Sequence, residues 1–184
     1  MNAYYDTGVL VPFYVKEVFS DRVLAFAENR HEAIPFNMFQ QLELETAIRL
    51  KRFRGEMDDA QVNVAIASRD ADVRIGRLVM RPVDWIRAME GARDFGARAT
   101  GRCGCRTLDL LHVAVAVQWG SVVFVTADDR QLKAAHSAGL QAVDVRTLPR
   151  KERPGDAPTG APAGTVRERR SRCGTQRRRV APGG

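Results

Sequence analysis

Arg106-Thr107-Leu108-Asp109-Leu110-Leu111-His112-Val113-Ala114-Val115-Ala116-Val117-Gln118-Trp119-Gly120 sets the terms for the rest of the chain. Its pattern predicts one helix: Thr107 can cap the start, Gly120 follows the end, and no proline interrupts. Leucine, valine and alanine leave it apolar nearly all round, as in a buried central helix. Asp109 nevertheless stands in the first turn. A lone buried carboxylate is costly, so a helix N-terminus, a hydrogen-bond donor or a cation must compensate it.

On the C-terminal side, Ser121-Val122-Val123-Phe124-Val125-Thr126 is β-branched, aromatic and uncharged, a buried strand. Asp129 to Ala138 predicts a helix stopped by Gly139, and Leu140 to Val145 a last strand. On the N-terminal side, Val83 to Ala99 predicts a helix carrying Trp85, Ile86, Met89, Ala92 and Phe95. Asp58 caps a helix carrying Val62, Ala65 and Ile66, and residues 70–80 read as a helix end or a loop. Asn37 caps a helix to about Phe53, with Leu42, Ala47, Ile48 and Leu50 at helical spacing. Before it come a short strand Glu32–Pro35, a helix Ser20–Asn29, a helix beginning near Val9, and a first strand Asn2–Asp6. Strands alternating with helices predict an α/β fold with a mostly parallel central sheet of four to five strands flanked by helices.

The 184 residues suffice for one core, and the net charge of +7 is unevenly placed. Residues 150–184 hold ten Lys/Arg against three Asp/Glu, so the whole excess lies there and residues 1–149 are balanced. The expected organisation is a domain over 1–148 and a disordered basic Pro/Gly/Arg-rich tail over 149–184. No apolar run spans a bilayer and no signal-peptide pattern opens the chain, which predicts a cytoplasmic protein. Cys103, Cys105 and Cys173 are too few for a disulfide framework or a zinc quartet.

Ligands of an open parallel sheet bind beyond the carboxyl ends of its strands. Asp6 closes the first strand and Asp128 follows the strand ending at Thr126, so both fall on that edge. Glu43 lies on an inward helical turn, and Asp109 opens the central helix. Two unit charges about 4 Å apart repel by about 4 kcal/mol at an effective dielectric of 20. Four such acids must be partly protonated or must hold a hard cation, and oxygen donors suit Mg²⁺ or Mn²⁺. A carboxylate-held Mg²⁺ beside an open groove suits phosphodiester hydrolysis, because it can acidify a bound water and neutralise the leaving oxygen.

Asp6-Thr7-Gly8-Val9-Leu10-Val11, Leu42-Glu43-Leu44-Glu45-Thr46-Ala47-Ile48, Thr107-Leu108-Asp109-Leu110-Leu111-His112-Val113-Ala114 and Val125-Thr126-Ala127-Asp128-Asp129-Arg130-Gln131 resemble, in order, the four acidic motifs of the PIN-domain family. The likeness covers residues 1 to about 148 and is strongest to the VapC-type toxins. It implies a PIN-like three-layer fold and a Mg²⁺- or Mn²⁺-dependent endoribonuclease, the toxin of a type II toxin–antitoxin pair. It also implies a homodimer blocked by an antitoxin of VapB type, with Asp6, Glu43, Asp109 and Asp128 as the catalytic and metal-binding set. Gly8 stands where the family most often has serine, and Asp129 adjoins Asp128 as a rival for its role.

Plainer roles compete with these. Asp6 could cap the following helix, and Asp109 could be a favourable first-turn charge. Glu45 reads as a solvated partner of Arg49, and His112 as a satisfied core residue. The basic run Arg49–Arg54 reads as a helix end before it reads as a phosphate contact. A non-catalytic PIN-like module binding RNA or protein is the rival function. The chain has no G-x-S-x-G elbow, no Walker loop and no glycine-rich dinucleotide turn.

Overall fold

A computed structural model describes residues 3–150. Five strands alternate with seven helices. They run β1 (Ala3–Tyr5), α1 (Thr7–Leu10), α2 (Ser20–Arg30), β2 (Ile34–Phe36), α3 (Met38–Phe53), α4 (Asp59–Arg74) and β3 (Leu78–Met80). Then follow α5 (Trp85–Cys103), α6 (Thr107–Gln118), β4 (Val123–Thr126), α7 (Asp129–Ser137) and β5 (Gln141–Asp144). The expected tail, from Lys151 on, lies outside the described residues.

All strand pairs are parallel, as expected, and the hydrogen-bonded ladders form two groups. One has the order β1-β4-β5, the other pairs β2 with β3. Two residues account for the break between β1 and β2. Pro35, in the middle of β2, has no N–H to donate. The last carbonyl of β1, Tyr5 O, instead accepts the side-chain amide of buried Gln40 at 2.7 Å.

Both faces of the three-stranded sheet are covered, which makes three layers. Ala3 and Tyr5 of β1, with Val123 and Val125 of β4, join a core with Val9, Leu10, Val23, Leu44, Ile48 and Val62 from α1 to α4. The alternate residues Tyr4 and Phe124 point the other way, into a core with Ala88, Ala92, Val113, Ala116 and Ala135 from α5 to α7. Helix α6 is the predicted central helix, with Leu110 to Ala116 all buried.

Several expectations shift. The N-cap of α6 is Arg106 rather than Thr107; the Asp109 carboxylate accepts the Arg106 N–H at 2.8 Å. Helix α3 turns Gln40, Leu44 and Ile48 inward, leaving Leu42 and Leu50 exposed, because its buried face starts at the capping box of Asn37 and Gln40. Helix α5 buries three alanines, Ala88, Ala92 and Ala99, while Ile86 and Met89 face out. It also runs on to Cys103, where Gly104 takes the left-handed conformation (φ 67°) that ends it. Strand β3 lies in the stretch left open between helix and loop; only Leu78 of its three residues is buried, so it carries little pattern.

Candidate active site

The four predicted acids come to the carboxyl ends of β1 and β4: Thr126 bridges Asp6 to Asp128, Gln131 bridges Asp128 to Asp109, and Glu43 stands beside them on its own contacts to Thr7 and His112. Asp6 continues the β1 ladder, its N–H reaching Val125 O at 3.0 Å, and is 4% exposed. Its side chain caps α1 by accepting the Val9 N–H at 2.8 Å, so the capping role is real. Its other oxygen accepts the Thr126 hydroxyl. Burial pushes the Asp6 carboxyl pKa above the usual range, and the Glu43 charge adds to this; His112, Thr126 and the Val9 N–H oppose it.

Glu43 projects from α3, and one of its oxygens takes two donors. Oε2 accepts the Thr7 hydroxyl at 2.6 Å and lies 2.8 Å from His112 Nε2. His112 is buried on α6, packs on Phe39 at a ring distance of 4.8 Å, and has its Nδ1 2.7 Å from the Tyr4 hydroxyl. Burial raises the Tyr4 pKa well above its usual value, so the phenol stays protonated and can donate to Nδ1. His112 is therefore a satisfied core residue, as its position suggested, and also the support of an acid.

Asp109 and Asp128 meet at a cation. Asp109 accepts the Arg106 N–H at 2.8 Å and the Gln131 amide at 3.3 Å, and Arg130 Nε lies 3.9 Å from its Oδ2. Asp128 caps α7 and receives Arg130 in a fork, Nη2 to Oδ2 at 2.8 Å and Nε to Oδ1 at 3.2 Å. The Arg130 side chain is the main reason its pKa falls below the ordinary value. Thr126 joins the two halves of the network: its hydroxyl donates to Asp6 and accepts the Asp128 N–H at 3.0 Å. Asp129 turns elsewhere, to Arg146, which also grips Asp144 at 2.8 Å.

A cavity of about 340 Å³ opens over this network, lined by Glu43, Arg106, Asp109, His112, Arg130 and Gln131 among others. Asp6 and Asp128 do not line it. Among the described residues, no group of three or more His, Cys, Asp or Glu is arranged to hold a metal ion; Asp109 and Asp128 are both turned to Arg130. The donor chemistry nevertheless fits a hard divalent cation. All four groups offer carboxylate oxygen, and Gln131 Oε1 is buried beside them without a hydrogen-bond partner.

Sequence reading passed over Tyr4, Thr7, Arg130 and Gln131. For Thr7 the signal was adjacency to Asp6. With Thr7 and Thr126 each donating a hydroxyl to an acid, Gly8 leaves no gap in that respect. Glu45 does pair with Arg49, at 2.8 Å, and also with buried Arg69 at 2.7 Å. Within the basic run, Lys51 meets Glu17 and Glu56 at 2.7 and 3.1 Å, and Arg52 meets Asp59 at 2.8 Å.

The strand order, the two buried faces and the acids at the strand ends define a PIN-like three-layer α/β fold. A solved structure of that shape, "FitAcB from Neisseria gonorrhoeae", matches with a TM-score of 0.56 over 79% of this chain and 99% of that one, at 16% sequence identity. No family model and no curated protein matches the sequence. Among the described residues, no helix is long and apolar enough to cross a membrane.

Proposed function

We propose that the chain is a metal-dependent endoribonuclease, the toxin of a type II toxin–antitoxin pair. The observation that carries this is the set of contacts Glu43–Thr7, Asp6–Thr126–Asp128 and Asp128–Arg130–Asp109, which gathers four acids from four separate regions of the sequence at one sheet edge. Asp6, Glu43, Asp109 and Asp128 would hold Mg²⁺ or Mn²⁺, which when bound acidifies water and stabilises charge on the phosphodiester oxygens.

The protein's own groups do the positioning. Thr7 and His112 fix Glu43 through its Oε2, which leaves its Oε1 for the ligand side. Thr126 and the Val9 N–H hold Asp6 in a buried place where its negative charge calls for a cation. Water is the attacking group in this reading, and the cavity over Glu43 and Asp109 is where the scissile phosphate would lie.

For partners, Met38 and Leu42 on α3 and Ile86 and Met89 on α5 are exposed, and these helices touch through Phe39 and Trp85 at a ring distance of 6.1 Å. Such an apolar surface supports an antitoxin of VapB type and a second copy of the chain as partners.

The test is cleavage of a structured RNA pool by partner-free protein with Mg²⁺, with Mn²⁺ and with EDTA, wild type against Asp109→Asn. Metal-dependent cuts lost in the variant support the assignment. RNA binding without cleavage, resistant to EDTA, refutes it in favour of a non-catalytic binding module.

A further inference from the structure

Arg130 sits between two of the four acids, Asp109 and Asp128. Its backbone N–H donates to Asp128 Oδ1 at 2.7 Å, its guanidinium takes both Asp128 oxygens, and its Nε lies 3.9 Å from Asp109 Oδ2. One residue thus covers the two acids contributed by α6 and the β4–α7 turn. Its main chain is tethered, because the thiol of buried Cys105 points to Arg130 O at 3.2 Å. Its side chain is not: it is 36% exposed and lines the open cavity, so it can leave toward solvent without disturbing the core.

The geometry points to Arg130 as a built-in competitor of the metal, a tethered cation that holds Asp109 and Asp128 together when no ion is bound and is released when one binds. This rests on the metal-dependent reading above. The physical reason is that a carboxylate oxygen given to a guanidinium fork is not free for a divalent ion, and like charges cannot share the site at close range. Glu43, whose Oε1 has no such competitor, is then where an ion first attaches. Asp109 and Asp128 complete the set as Arg130 swings out. Released over the cavity, the guanidinium lies where an RNA phosphate would approach.

The experiment is Mn²⁺ binding by the full-length chain without RNA, measured by calorimetry and by the Mn²⁺ electron-resonance signal, for wild type, Arg130→Gln and Arg106→Gln. Arg106 lines the same cavity but makes no side-chain bond to Asp128, so it controls for charge alone. Removing a charge-assisted fork predicts about a tenfold or greater gain in affinity for Arg130→Gln. It predicts a clearly smaller gain for Arg106→Gln. In wild type, the Arg130 Nε–H resonance should move to the position of free arginine as Mg²⁺ is added, a readout that does not depend on any variant folding.

Equal gains in the two variants, unchanged or weaker binding by Arg130→Gln, or an Arg130 resonance indifferent to Mg²⁺ overturns the proposal while leaving the metal site standing. Absence of Mn²⁺ binding in every protein overturns both.

Discussion

His112 Nε2 stands 2.8 Å from Glu43 Oε2, and this contact ties the central helix α6 to an acid on α3. The other ring nitrogen faces the protonated Tyr4 hydroxyl, which fixes the neutral ring as the Nε2–H tautomer. His112→Ala should lower RNA cleavage by about tenfold to a hundredfold, as loss of a ligand's support does. It should also cost about 2 kcal/mol in urea unfolding, because Tyr4 and Glu43 lose partners. Nitrogen chemical shifts should show the neutral ring as the Nε2–H tautomer, with Nδ1 the acceptor from Tyr4. A protonated Nδ1 in the neutral ring would contradict the relay.

Asp6→Asn should abolish cleavage and yet stabilise the metal-free fold at pH 7. The Asp6 carboxyl has a folded pKa above its unfolded value, so ionisation is penalised in the folded state. That penalty is absent below the unfolded value, about pH 4, and grows as pH rises from there through the folded value. Melting in EDTA should therefore show a higher Tm for the variant at pH 7 and a vanishing difference near pH 3. An equal difference at both would mean that charge is not the cause.

Glu45 has the opposite sign. Arg49 first, and then Arg69, hold its pKa down to about 2. Its contribution is full above the unfolded value of about 4.3 and is lost as pH falls toward 2. Glu45→Gln leaves Arg69, 3% exposed, with Asp70 as its remaining acidic contact at 2.9 Å. It should destabilise the fold by about 3 kcal/mol at pH 7 in urea unfolding, with metal affinity unchanged.

Asp128 and Asp129 can be separated directly. Asp128→Asn should abolish cleavage. Asp129→Asn should leave it unchanged, because Arg146 retains Asp144. Equal losses from the two substitutions, measured on one RNA, would break the assignment.

The most legible elements in the sequence were α6 and β4, because each carries an unbroken buried run, Leu110 to Ala116 and Val123 to Thr126. Leu42 was misplaced because α3 takes its inward face from Gln40, a polar residue, which hydrophobic spacing cannot register. Strand β3 escaped because two of its three side chains face outward. Asp6, Asp109 and Asp128 stood out by their places at strand ends and helix starts, whereas Glu43, in the second turn of α3, was preferred to Glu45 through the resemblance of motifs. Arg130 did not stand out, since an arginine in the first turn of a helix ordinarily opposes the helix dipole and gives no sign that it turns back on the preceding cap. Tyr4 did not either, since its hydroxyl matters only through a histidine 108 residues away.

Gln40 gives the site a hidden dependence. Its side-chain oxygen accepts the Asn37 N–H at 3.1 Å and its amide nitrogen donates to Tyr5 O at 2.7 Å, so one carboxamide fastens the start of α3 to the end of β1. Asp6 is the next residue along that strand, and Glu43 lies less than one turn along that helix. The relative placement of these two acids is thus transmitted through a residue outside the cavity lining. Variation at Gln40 would detune the site from behind, with each acid still present and the cavity lining intact.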